Sequence, residues 1–364
     1  MRIAVDAREL AGRRTGVGRY LAELLAQWDT DADARRHQWR LYAHAPVAVP
    51  PAFAGALRVL SGAGGTRWEQ WTLPRALARE KPDVLFAPGY TAPLTAPCPV
   101  ALTVHDVSFA AHREWFSRRE GRRRRSVTTW SARRARVIVT DSNFSRDEIV
   151  RHLRISADRV RVIPLGAPRS SEARQASTVR EPMILYVGSI FRRRHLDRLI
   201  AAFVDHVAPA IETSRLEIVG ENRLFPPGDP TTVLERCPPQ IAGRVVVRSY
   251  VDEPTLRSLY RQASVFAFLS AYEGFGLTPL EALASGVPSV VLDTPVAREV
   301  YGPAARYVAD LSTTKALGDA LLDLMTNPAA RERVLQHSHD VLARYDWGRT
   351  AKATLAAIEA AAGV

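Results

Sequence analysis

The chain has 364 residues, 46% hydrophobic and 24% charged, and its 24 prolines and 21 glycines follow no period. That composition excludes disordered, collagenous and low-complexity proteins, and at about 150 residues per domain it predicts two domains with sizeable cores. The net charge of +12 lies entirely in residues 1–168, which hold 28 basic and 16 acidic side chains against 22 of each in residues 169–364. The first half should therefore attract anionic partners.

No apolar stretch approaches the roughly 18 residues that span a bilayer, and Arg2 and Asp6 bring charge too early for a secretion signal. A soluble cytoplasmic protein is expected. Cys98 and Cys237 lie beside prolines, without metal-ligand spacing, and read as bystanders.

In chain order, β-rich runs predict strands at Ile3–Val5, Leu41–Ala43, Val84–Phe86, Val100–Val104, Val137–Thr140 and Val160–Ile163. Several are continuously apolar, as in a parallel sheet covered on both faces. Residues 169–182 are polar and aperiodic, a linker. The pattern restarts with strands at Met183–Val187, Leu216–Val219, Val245–Val247, Val265–Leu269, Ser289–Leu292 and Arg306–Val308, with helices such as Leu196–Val207 and Pro254–Gln262 between them. The expected fold is α/β, with two doubly wound domains facing each other across a cleft, residues 1–168 and 183–345.

The most informative segment is Val265–Pro288. A strand ends near Leu269, the loop Glu273-Gly274-Phe275-Gly276 follows, and a helix starts at Thr278-Pro279 and stops at Gly286. Such a loop presents backbone N–H groups and a positive helix end, which suits a diphosphate. Glu273 and Glu281 bracket it, Glu281 inside the first helical turn. Thr278-x-x-Glu281 reads equally as a capping box.

Elsewhere, Ile190–His195 is a basic turn after a strand, and His105 closes an apolar strand at Thr103-Val104-His105-Asp106, with Asp106 placed either to orient it or to bind an acceptor. Residues Ser117–Arg136 carry nine arginines, one glutamate and Trp130, just after Trp115 and Phe116. They are either a basic surface for an anionic membrane or lipid diphosphate, or a solvated helix whose few apolar residues face the core. Asp29-Thr30-Asp31 has a metal-like spacing but follows a helix, which predicts a solvated loop. Gly16-Val17-Gly18 lacks the third glycine of a dinucleotide fingerprint, position 21 being Leu21.

Tyr272-Glu273-Gly274-Phe275-Gly276-Leu277-x-Pro279-Leu280-Glu281-Ala282 resembles the hallmark of the retaining, nucleotide-sugar-dependent glycosyltransferases of family 4, which have the GT-B fold. Tyr186-Val187-Gly188-Ser189, Leu196–Ile200, Ser142–Ser145, Val162–Gly166 and Thr15–Tyr20 extend the resemblance over nearly the whole chain.

The resemblance implies a catalytic set of Glu273, His105 and Arg194. Glu273 would contact the transferred sugar and steady its cationic anomeric centre, and His105 would touch the same sugar. Arg194 stands where the family has a diphosphate-binding lysine. Donor contacts are further implied at Gly16, Gly188, Ser189, Arg193, Gly274, Phe275, Gly276, Leu277 and Thr278, with Glu281 on the ribose hydroxyls. No metal or cofactor is implied. The donor would be a nucleotide diphosphate sugar, GDP-mannose first, used by the 183–345 domain. The acceptor would be a saccharide or lipid-linked saccharide on residues 1–168, and the last helix, 346–364, would return to that domain. Where Arg118–Arg136 serves as a surface rather than as a solvated helix, its partner would be an anionic membrane, and nucleic acid is not expected. A GT-B epimerase or phosphorylase and a non-enzymatic polyanion binder are the alternatives.

Overall fold

The computed structural model describes residues 1–12, 16–168 and 180–363. The chain divides into two compact units. One comprises Met1–Arg113, Arg118–Gly166 and Tyr345–Val364, the other Glu114–Ser117 and Ala167–Arg344.

The first unit is built on seven parallel strands: β1 (Arg2–Asp6), β2 (Gln38–Ala43), β3 (Leu57–Val59), β4 (Val84–Ala87), β5 (Val100–Thr103), β6 (Val137–Thr140) and β7 (Val160–Val162), in the order β3-β2-β1-β4-β5-β6-β7. Every residue of β4, β5 and β6 is buried, as their continuous apolar runs predict. Strand β3 was not expected. It is a three-residue edge strand with no fully buried position, too short to leave a pattern.

The helix Gly16–Thr30 buries Tyr20, Leu21, Leu24, Leu25 and Trp28, one face at helical spacing. The Trp347–Ala362 helix packs on the same unit. Trp28 Nε1 donates to the Ala351 carbonyl at 3.0 Å and Thr350 Oγ1 to that of Pro164 at 2.7 Å. Asp346 caps this helix by accepting from the Arg349 N–H at 2.9 Å.

The second unit has six parallel strands: β8 (Glu181–Val187), β9 (Arg215–Val219), β10 (Val245–Arg248), β11 (Ala263–Phe268), β12 (Ser289–Leu292) and β13 (Arg306–Val308), ordered β10-β9-β8-β11-β12-β13. Strand β8 takes in Glu181 and Pro182, the last two residues read as linker. Residues 169–179 lie outside the described residues. The helix expected at 196–207 is α-helical to Ala202 and π-helical over Phe203–Val207. Its apolar face joins Ile184, Leu216, Val265 and Leu321 in one core.

In each sheet the strand order reverses once, between β1 and β4 and between β8 and β11. Loops leaving the carboxyl ends of strands diverge at such a reversal and open a crevice in each unit.

Candidate functional site

The second unit's reversal point gathers most of the implied residues. Strand β8 runs into Gly188, whose φ of +145° favours glycine, and Arg194 Nη1 occupies the space that a Cβ there would take. Arg194 lies in a short turn, Arg192–Arg194, that ends on the left-handed His195. Its Nη1 donates to the Ser189 carbonyl at 3.0 Å, and its Nε and Nη2 both reach Glu273 Oε1 at 2.9 Å. Ser270 Oγ donates to the same oxygen at 2.8 Å. Three donors thus converge on Oε1, and no donor among the described residues reaches Oε2.

Burial works against the Arg194 charge, but Glu273 and the Tyr186 hydroxyl more than offset it and hold the guanidinium protonated. Its charge is largely compensated by Glu273. Arg193 differs. Its guanidinium lies 4.4 Å from the Phe191 ring centroid and 5.9 Å from that of Trp115, and Nε donates to the Tyr272 carbonyl at 3.2 Å. Its Nη groups meet no acceptor among the described residues.

The helix after the glycine loop spans Leu277–Ala284, and its N-cap is Gly276 at φ +92°. A Cβ on Gly276 would fall 2.1 Å from the Tyr301 hydroxyl, which donates to the Gly276 carbonyl at 2.8 Å. The capping-box reading is therefore corrected. Thr278 is already the second helical residue, its Oγ1 is buried without a partner, and no side chain caps the first amides. Glu281 is the fifth helical residue rather than the third, just beyond the first turn where it was expected. It is buried, and its Oε2 accepts from the Tyr260 hydroxyl at 2.9 Å. Gly286 is left-handed at φ +70°, as the helix stop requires. Glu273 and Phe275 also line a small hollow with Ser270, Thr294 and Tyr301.

His105 and Gly16 belong to the first unit. His105 Nδ1 lies 2.7 Å from Asp141 Oδ2 and Nε2 lies 3.1 Å from the Pro88 carbonyl. Burial opposes the imidazolium, but the Asp141 carboxylate and the Pro88 carbonyl outweigh it and raise the His105 pKa. Both ring nitrogens are in use, so neither is available to a sugar hydroxyl in this arrangement. The residue that orients the ring is Asp141; Asp106 instead accepts from Tyr90 Oη at 2.9 Å and the Ser108 N–H at 2.8 Å. Gly16 opens the first helix, with no atom of the described residues within 4 Å of where a Cβ would stand. Thr15 lies outside the described residues.

Sequence reasoning missed a buried ionic cluster at the first unit's reversal point. Arg8 bridges Asp6 (Nε to Oδ2, 3.2 Å) and Glu69, and Thr91 Oγ1 donates to Glu69 at 2.6 Å. Asp6 and Glu69 are far apart in sequence, and no motif joins them. Burial raises the Asp6 pKa to about 6, with Arg8 pulling the other way. Asp29 and Asp31 spend carboxylate oxygens on the Ala52 and Ala34 N–H groups, each at 2.8 Å.

The arginine-rich segment forms a helix, Arg118–Arg134, whose buried residues are Gly121, Thr128, Ser131 and Ala132. Its apolar residues do not all face the core: Trp130 is 57% exposed, beside exposed Arg133 and Arg134. Trp71 is also 57% exposed. Ser131 and Gln70, the sequence neighbours of these two tryptophans, both hydrogen-bond the Ala92 carbonyl, so the two segments that carry the tryptophans lie close together.

The family described as "Glycosyl transferases group 1" matches residues 169–339, and "Glycosyltransferase Family 4" matches residues 14–170. The O-antigen chain mannosyltransferase B of Escherichia coli is 28% identical over 241 residues, 63% of this chain and 62% of that protein. The chain spans between about two-fifths and three-fifths of the length of curated relatives it matches. WaaG, a glycosyltransferase involved in lipopolysaccharide biosynthesis, superposes with a TM-score of 0.75 at 16% identity, over 98% of this chain and 99% of WaaG. Anabaena HepE, solved with UDP and glucose, gives 0.73 at 16% identity over 98% and 99%. These likenesses show the GT-B fold.

Proposed function

The chain belongs to the glycosyltransferases of group 1 and family 4, and from that premise we propose that it is a retaining, metal-independent hexosyltransferase. Its second unit would bind a nucleotide diphosphate sugar, and its first unit a saccharide or lipid-linked saccharide acceptor. The observation that carries this reading is the Glu273 carboxylate, anchored through Oε1 by Arg194 and Ser270 with Oε2 left to accept a sugar hydroxyl. GDP-mannose is the first donor, on the likeness to a mannosyltransferase. A UDP-sugar is the second, on the likeness to HepE.

Each residue then has a task. Arg193, with open Nη groups, meets the diphosphate, together with the uncapped amides of the Leu277–Ala284 helix and the backbone of Gly274–Thr278. Arg194 holds Glu273 in place and adds to the local positive field. Gly188 and Ser189 let this turn approach closely, and Glu281 accepts the ribose hydroxyls. As the bond from the anomeric carbon to the phosphate oxygen breaks, charge grows on the diphosphate, where fixed donors are worth most. The departing phosphate oxygen takes the acceptor's proton as the new glycosidic bond forms on the same face. His105 acts through its charge, since both ring nitrogens are engaged.

The arginine face with Trp130 and Trp71 would rest on an anionic membrane at the cytoplasmic face. Among the described residues no helix is long and apolar enough to cross a membrane.

Incubation with GDP-mannose or UDP-glucose in EDTA tests the reading, with saccharide diphosphate lipids as acceptors. Release of the nucleoside diphosphate, and an NMR product that keeps the donor's anomeric configuration, are expected. An inverted product, or release only with added divalent metal, would overturn it.

A further inference from the structure

Tyr260 is a buried residue of the Glu253–Gln262 helix, and its hydroxyl donates to Glu281 Oε2 at 2.9 Å. Its ring is fixed independently of that bond, packed on Phe266 of β11 with centroids 5.8 Å apart and planes at 34°. The two helices that carry Tyr260 and Glu281 are tied together at their carboxyl ends by Arg180. Its Nη1 donates to the Tyr260 carbonyl at 3.3 Å and to that of Ala263 at 2.9 Å, while Nη2 donates to Ser285 at 2.8 Å. The phenol is thus a rigid donor aimed at a carboxylate on a flexible stem.

We infer that Tyr260 is a positioning residue for nucleotide recognition: its hydroxyl sets the rotation of the Glu281 carboxylate that accepts the vicinal diol of the donor's ribose. The inference rests on the donor-site reading of Glu281. Two hydroxyls on adjacent carbons leave in fixed directions, so an acceptor serves both only when its plane is set in advance. A bond to one lone pair of Oε2 leaves the carboxylate further lone pairs for the ribose. Removing the phenolic oxygen keeps the ring packing and takes away the bond that holds Oε2.

The test is a thermodynamic cycle by isothermal titration calorimetry on the full chain. Wild type, Tyr260→Phe and Glu281→Gln are titrated with GDP, UDP and ADP and with their 2′,3′-dideoxy counterparts. For the nucleotide that wild type prefers, Tyr260→Phe is expected to weaken ribonucleotide binding about 5- to 10-fold and dideoxynucleotide binding less than about 2-fold. Equal losses on both ligands would make Tyr260 a packing residue and overturn the inference, as would no loss on either. Glu281→Gln separates the two levels of the argument. Full ribose discrimination in that variant would overturn the Glu281 reading itself, and the role of Tyr260 with it. Discrimination lost in Glu281→Gln but intact in Tyr260→Phe would overturn the role of Tyr260 alone.

Discussion

Arg194 reaches Glu273 through both Nε and Nη2, and both contacts end on the same oxygen, Oε1, at 2.9 Å. The pair therefore acts as one unit, with Arg194 holding and Glu273 presenting Oε2. Glu273→Ala is expected to lower kcat about 100- to 1000-fold, the usual loss when one group that stabilises transition-state charge is removed. Arg194→Ala should cost about as much, and the double variant little more than either alone. Steady-state kinetics on the three variants checks this; additive losses would mean independent roles.

The Arg8 cluster predicts a stability effect. Arg8→Met leaves Asp6 and Glu69 buried without their cation, at a cost of about 3–5 kcal/mol. The pH dependence has a definite sign. Asp6 binds its proton more tightly folded, with a pKa of about 6 against an ordinary 3.8, so its ionisation lowers stability as pH rises between those values. Urea unfolding of Arg8→Met should show a larger loss at pH 8 than at pH 5, where Asp6 is substantially protonated.

His105 gives a second pH signature. Its folded pKa is raised, so the stability it contributes is complete below the ordinary histidine value of 6.5 and is lost as pH rises through the folded value. Asp141→Asn removes the carboxylate at Nδ1 and should lower the titration midpoint of the His105 ring, followed by its carbon-bound proton resonances. An unchanged midpoint would assign the shift to the Pro88 carbonyl.

The sheets were legible because buried parallel strands are nearly continuous apolar runs, and Val137–Thr140 and Ser289–Leu292 form as expected. Strand β3 escaped because three half-exposed edge residues carry no period. At the site, the glycine loop and both glutamates stood out in the sequence, but the helix start did not. Thr278 has the chemistry of a cap, while the left-handed Gly276, set by its contact with Tyr301, occupies that place. The partners that define each group come from distant sequence: Glu273 is 79 residues from Arg194 and Asp141 is 36 from His105. Such pairings exist only once the strands are side by side.

The arginine helix predicts binding to anionic vesicles. Replacing Arg122–Arg125 with Gln, or Trp130 and Trp71 with Ala, should each weaken association with phosphatidylglycerol vesicles about 5-fold or more, the first effect shrinking at high salt. Co-sedimentation measures it. Wild-type protein that stays in the supernatant would refute the membrane surface.

On the donor-site reading, the second unit recognises a nucleoside diphosphate through Glu281 and the Glu273 loop. The most direct test is the melting temperature in EDTA with about 1 mM GDP, UDP, dTDP or ADP, for wild type and Glu281→Ala. A ligand at about 100 times its Kd stabilises by about 2.7 kcal/mol, a shift of a few degrees. A clear shift with one of these nucleotides is expected in wild type, and a much smaller one in Glu281→Ala. No shift with any nucleotide, or equal shifts in both proteins, would contradict that reading.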